Sequence, residues 1–138
     1  MGHTFTNILL HVIFSTKDRQ PWIDESWRAR LYEYMSGIAR KEFGRALIIG
    51  GVADHVHALI SIGTNQSLGD IMAKWKSLSS GWIHRTIEGM DAFAWQTGYA
   101  AFSVSESSAP SVRRYIESQA THHRKQTFQE EYVAFLER

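Results

Sequence analysis

Two histidines one residue apart, in Asp54-His55-Val56-His57, stand at the head of the apolar run Ala58-Leu59-Ile60-Ser61-Ile62. Successive side chains of a strand point to opposite faces, so His55 and His57 project from the same face. Val56, Ala58, Ile60 and Ile62 then form an apolar face on the other side. Neutral imidazole nitrogen is the commonest protein metal ligand, and two on one strand face can grip one ion. On the triplet alone, the commoner outcome is a pair of histidines that only hydrogen-bond to their neighbours on a half-buried sheet.

A second pair lies far downstream, in Ser111-Val112-Arg113-Arg114-Tyr115-Ile116-Glu117-Ser118-Gln119. Tyr115 and Gln119 are four residues apart and share a helix face, with Val112, Ile116 and Ala120 as the adjoining apolar stripe. A phenolic hydroxyl and a carboxamide oxygen thus project together, one turn apart. Spacing alone also fits a half-buried core tyrosine beside a surface glutamine.

The elements that must position these pairs can be traced from the pattern. Residues 5–16 alternate as a strand, with Ile8, Leu10, Val12 and Phe14 on one face and Asn7, Leu9, His11 and Ile13 on the other. Asp24 is a helix cap for residues 25–43, where Trp27, Leu31, Tyr34, Met35 and Ile38 recur at helical spacing and Gly44 is a natural stop. Residues 45–52 and 55–62 are strands joined by a tight turn. Ser67 caps a helix running to about residue 88, with Lys74, Lys76 and Arg85 off its apolar stripe and expected on a solvated face. Residues 93–96 and 99–104 read as short strand pieces broken by Thr97-Gly98. A third long helix spans about 109 to 122 or 123, and Thr127 and Glu130 have the spacing of a capping box for a last short helix. The order predicts an α+β fold. Its form is a ferredoxin-like or RRM-like βαββαβ sandwich, an antiparallel sheet with two helices on one face, followed by a C-terminal helix that carries Tyr115. In it, the His55/His57 face is the open one.

Composition narrows the class. The chain has 138 residues, a formal net charge of +1 and no cysteine. One domain over residues 1–138 is expected. Disulfides and thiolate metal sites are excluded. No apolar run reaches membrane-spanning length and no signal peptide is evident, so a cytoplasmic protein with no membrane partner is expected. The charge balance does not advertise nucleic-acid binding, although local basic clusters can serve it.

Several stretches together resemble one family. They are Thr6-Asn7-Ile8-Leu9-Leu10-His11-Val12-Ile13-Phe14-Ser15-Thr16, Gly50-Gly51-Val52-Ala53-Asp54-His55-Val56-His57, Trp95-Gln96-Thr97-Gly98-Tyr99, Arg114-Tyr115-Ile116-Glu117-Ser118-Gln119 and His122-His123-Arg124. In order and over nearly the whole chain, they resemble the single-tyrosine HUH transposases of compact bacterial insertion sequences. The resemblance implies that His55, His57 and Gln119 hold one Mg²⁺ or Mn²⁺ ion, and that Tyr115 is the catalytic nucleophile. It implies that Asp54 supports the first ligand. It further implies metal-dependent cleavage and rejoining of single-stranded DNA at hairpin-bearing transposon ends, through a 5′-phosphotyrosine intermediate. The expected assembly is a homodimer in which the tyrosine helix of one chain completes the histidine pair of the other, with residues 105–110 as its hinge. That hinge has no glycine, unlike some relatives.

Lys17, Arg19, Arg113, Arg114, Arg124 and Lys125 are candidate DNA contacts, with solvated surface charge the plain alternative for each. Two other functions compete with strand transfer. One is a domesticated hairpin-binding protein of the same fold that no longer transposes; the other is a phosphodiesterase that uses water as nucleophile.

Overall fold

Alternating apolar residues over 8–15 and helical spacing over 25–42 become the first two elements of a computed structural model that describes residues 3–119. The elements are β1 (Ile8–Ser15), α1 (Glu25–Glu42), β2 (Gly44–Val52), β3 (His55–Ile62), α2 (Leu68–Thr86), β4 (Ala100–Val104) and α3 (Ala109–Glu117). The strands form one antiparallel sheet in the order β2-β3-β1-β4. This is the expected βαββαβ sandwich, with α3 added beyond it.

Both expected caps are made. The Asp24 carboxylate accepts from the Ser26 amide at 3.0 Å, and the Ser67 hydroxyl accepts from the Asp70 amide at 3.1 Å. The apolar stripes of α1 and α2 then bury Trp27, Leu31, Met35, Ile71, Met72 and Trp75 against Val12, Phe14, Val56, Ala58 and Ile60 of the sheet. Trp75 lies between the rings of Phe14 and Phe43, with centroids 5.8 and 5.3 Å away, and donates its indole N–H to the Met35 carbonyl at 2.9 Å. Each such side chain contributes about 1.5–3 kcal/mol by leaving water. This core uses only the even-numbered residues of β1 and β3, which fixes the odd-numbered ones on the opposite face.

That opposite face is covered by α3. Val112, Tyr115 and Ile116 are buried with Leu9 and Leu59 in a second, smaller cluster edged by Leu47, Ile48, Val104 and Ala109. Regular helix ends at Glu117, where the Ser118 amide turns back to Arg114 and Ile116 carbonyls. The expected continuation to 122 or 123, the last short helix, and Arg124 and Lys125 lie outside the described residues. Among the described residues no helix is long and apolar enough to cross a membrane.

Two sequence expectations need correction. Residues 93–96 form no strand; Trp95 makes only an isolated bridge to Thr16. Two backbone bonds, from the Lys17 amide to the Ala94 carbonyl at 2.9 Å and from the Gln96 amide to the Ser15 carbonyl at 2.8 Å, flank that bridge, while His84 bonds the Phe93 carbonyl at 2.8 Å and the Phe93 and Trp95 rings pack edge-on at 4.9 Å, so the pairing with β1 stops after one bridge. Lys76 is not simply a solvated charge either. Its ammonium donates to the carbonyls of Gln96 and Gly98, at 2.6 and 2.8 Å, and fastens the loop before β4 to α2.

One polar group is badly placed for stability. The Tyr32 hydroxyl is buried and has no hydrogen-bond partner among the described residues, and burial pushes this phenol well above its usual range. Removing an unsatisfied buried hydroxyl while keeping the ring should stabilise the fold. Tyr32→Phe is expected to raise the unfolding free energy by up to about 1 kcal/mol in urea denaturation. A loss of stability would show that this hydroxyl is satisfied.

Candidate active site

The site is built on the central strands. Ile13 of β1 lies opposite His57 of β3, and His11 lies opposite Leu59. Odd residues of both strands therefore share one face, and His11 sits diagonally across from His57. The two rings are hydrogen-bonded, His11 Nε2 to His57 Nδ1, at 2.9 Å. On the other side, His55 Nδ1 meets the Asp54 carboxylate at 2.8 Å. Ring centroids are 5.2 Å apart between His55 and His57 and 5.1 Å between His11 and His57. Three imidazoles thus run side by side across the sheet, all buried.

Asp54 occupies the two-residue turn between β2 and β3. The turn is anchored by the amides of Thr16 and Ile23, which donate to the Asp54 and Ala53 carbonyls, each at 2.9 Å. Arg19 forms an ion pair with the Asp54 carboxylate at 3.1 Å. Burial acts to raise the Asp54 carboxyl, but the hydrogen bond with His55 and the Arg19 guanidinium outweigh it and hold the group below its usual range. To reach Asp54, the chain puts Asp18 and Arg19 in the left-handed region, φ 56° and 57°, which costs non-glycine residues about 1–2 kcal/mol each. The Asp18 amide offsets some of this by donating to Gln96 Oε1 at 2.9 Å. His11 is placed differently. Burial pushes it down to about 4, so this ring is neutral at neutral pH.

α3 brings the second pair onto this face. The Tyr115 ring stands edge-on to His57 and His11, with centroids 5.7 and 6.1 Å away. Gln119 is 1% exposed, and its amide nitrogen donates to the Tyr115 carbonyl at 3.3 Å. Its Oε1 has no hydrogen-bond partner among the described residues. A buried carbonyl left without a donor costs about 1–3 kcal/mol. A cation would satisfy it. With Nδ1 of His55 and His57 each engaged, Nε2 is the nitrogen either ring offers to a metal. The donor chemistry therefore fits a divalent ion held by two imidazoles and one carboxamide oxygen. No group of three or more His, Cys, Asp or Glu suited to a metal occurs among the described residues.

The structure thus brings together Asp54, His55, His57 and Tyr115, with Gln119 bonded to the Tyr115 backbone carbonyl. Arg19 joins them as the partner of Asp54, while Lys17 is exposed at the start of the same short turn. Arg113 and Arg114 are exposed on α3, while Tyr115 is buried. One member had no role assigned from sequence, His11. Its parity on β1 was visible, but the β1–β3 register that sets it beside His57 was not.

A family described as IS200-like transposase matches residues 4–119. No curated protein matches the chain. Among solved structures, a Deinococcus radiodurans R1 protein assigned as a transposase is similar at TM-score 0.70 and 20% identity, covering 86% of this chain and 96% of that one. A REP-associated tyrosine transposase bound to a REP hairpin is similar at TM-score 0.64 and 10% identity, covering 89% of this chain and 72% of that one. At these identities the two structures speak for the fold. The family match spans both halves of the site, and the chain belongs to the IS200-like transposases, the single-tyrosine HUH family that its sequence resembles.

Proposed function

We propose that this protein cleaves and rejoins single-stranded DNA, with Tyr115 as nucleophile and His55, His57 and Gln119 as ligands of one Mg²⁺ or Mn²⁺ ion. The observation that carries the reading is the Tyr115 ring edge-on to His57, with the acceptor Oε1 of Gln119 buried on the same helix end. A phenol ordinarily titrates near 10 and is a poor nucleophile toward an anionic phosphodiester. The bound ion supplies Lewis-acid polarisation of the phosphate and helps orient it for in-line displacement.

The chain's own residues do the rest. The Tyr115 oxygen bonds to phosphorus as its proton leaves, and the bond from phosphorus to the 3′ oxygen breaks. That oxygen departs as a 3′-hydroxyl, and the 5′-phosphate stays on Tyr115. Attack by another 3′-hydroxyl reverses the step and returns the tyrosine. The phosphotyrosyl ester conserves the bond energy, so no nucleotide cofactor is needed. Asp54 orients His55, and burial under α3 keeps water from the ester.

The DNA partner we infer is a single strand carrying hairpin ends, the ligand class of the similar hairpin-bound transposase. Arg113, Arg114, Lys17 and Arg19, all exposed, are our candidates for its phosphate contacts. Single-stranded oligonucleotides tiling the DNA beside the gene, incubated with Mg²⁺, should yield a detergent-stable protein–DNA adduct. The adduct should vanish with chelator and in His57→Ala. Hairpin binding with no adduct under any divalent ion would favour the domesticated binder.

We also infer a homodimer that exchanges α3. The ring contacts described above lie within one chain, and exchange would rebuild the same neighbours between two. Mixing His57→Ala and Tyr115→Phe chains should then restore adduct formation in the heterodimer. No recovery beside an active wild type would assign each site to a single chain.

A further inference from the structure

We propose that His11 is a positioning residue that fixes the tautomer of His57, its Nε2 accepting the Nδ1–H of His57 so that His57 presents an unprotonated Nε2. The inference rests on the reading of His57 as a metal ligand. A hydrogen bond between two imidazole nitrogens, here 2.9 Å long, holds one proton. If His11 Nε2 carried it, His57 Nδ1 would be the acceptor. A neutral His57 would then carry its own proton on Nε2 and could not ligate through that atom. With the proton on His57 Nδ1, the Nε2 lone pair is available. His11 then keeps its own proton on Nδ1.

The two ligand rings are thereby oriented in the same sense by different acceptors. His55 donates its Nδ1–H to the Asp54 carboxylate, which lies at the edge of the site and has Arg19 as counter-charge. His57 is ringed by His11 and Tyr115, and His11 is fully buried among His57, Phe102 and Tyr115. A carboxylate at position 11 would be a charge at a fully buried position, which is costly to desolvate. A neutral imidazole supplies an acceptor of the right reach without that charge. Outer partners of this kind typically change metal affinity by 10–100-fold when removed.

The direct test is the tautomer of His57 in metal-free, ¹⁵N-labelled wild-type protein, read from long-range proton–nitrogen correlations of the ring. A protonated Nδ1 and an unprotonated Nε2 are expected. A protonated Nε2 overturns the proposal, and this measurement needs no variant to fold. Calorimetric titration with Mn²⁺ adds a second reading. His11→Phe should weaken Mn²⁺ binding at least tenfold, and His11→Gln, which retains an acceptor oxygen at similar reach, should recover most of it. Unchanged Mn²⁺ affinity in folded His11→Phe would also overturn the assignment. Failure of the underlying metal reading looks different: His57→Ala would bind Mn²⁺ as wild type does, while the tautomer measurement would still judge His11.

Discussion

Tyr115→Phe should abolish the covalent DNA adduct, a loss on the order of 10³-fold or more, because the substitution removes the oxygen that forms the ester. Its effect on stability should be slight. The ring packs with Leu9, Leu59, Val112 and Ile116, and phenylalanine keeps those contacts. Only a hydroxyl is lost, worth about 1 kcal/mol or less. Adduct yield on denaturing gels and a thermal melt separate the two effects. An intact melt with no adduct is the expected pair of results. Strand cleavage that survives the substitution would instead identify water as the nucleophile and make this a phosphodiesterase.

The second large effect is expected at a residue with no chemistry of its own. Gly50 of β2 faces α3, opposite His57 in the ladder. A Cβ built there would lie 2.3 Å from the Ile116 carbonyl oxygen and 3.1 Å from both its carbonyl carbon and its Cγ2. The nearest atom is backbone, so it cannot rotate aside; α3 itself must move. Gly50→Val should therefore lift α3 from the sheet, at a cost of about 1–3 kcal/mol or more for overpacking. Displacing a nucleophile by about 1 Å commonly lowers rate about 10²-fold, so adduct formation should fall steeply. The core between the sheet and α1/α2 does not touch Gly50 and should stay folded. Hydrogen exchange should speed up over 109–119 while β1 and β3 remain protected, and Gly50→Ala should act in the same direction more weakly. Unchanged exchange in α3 would contradict this account of Gly50.

The parts legible in the sequence were those fixed by local rules. Alternation in 8–15 and 55–62 identified the two strands and separated their faces, and Asp24 and Ser67 marked helix starts that the structure makes with those same side chains. The i, i+4 spacing of Tyr115 and Gln119 predicted a shared helix face; regular helix stops at Glu117, and Gln119 meets Tyr115 through the Tyr115 backbone carbonyl. What local rules could not reveal were relations across the chain. His11 became a partner of His57 only through the β1–β3 register, and no pattern within either strand specifies that register. Phe93 and Trp95 carry strand-favouring side chains, yet the segment makes a single bridge, Trp95 to Thr16, while its rings pack with Phe14 and Trp22. Gly50 falls within the strand expected over 45–52, where nothing local marks it. Its requirement is instead the close approach of a helix more than sixty residues later in sequence. The left-handed Asp18 and Arg19 are likewise unmarked in sequence, because their strain is held by Asp54 and Gln96 from two separate loops.

The central claim is that Tyr115 takes the DNA phosphate, and peptide mapping of the trapped adduct tests it most directly. Wild-type protein is incubated with the tiled single strands and Mg²⁺, digested with protease and nuclease, and analysed by tandem mass spectrometry. The account predicts a nucleotide 5′-phosphate on Tyr115 and a free 3′-hydroxyl on the released strand. A phosphate on any other residue, or cleaved strands with no protein-linked product, would contradict it.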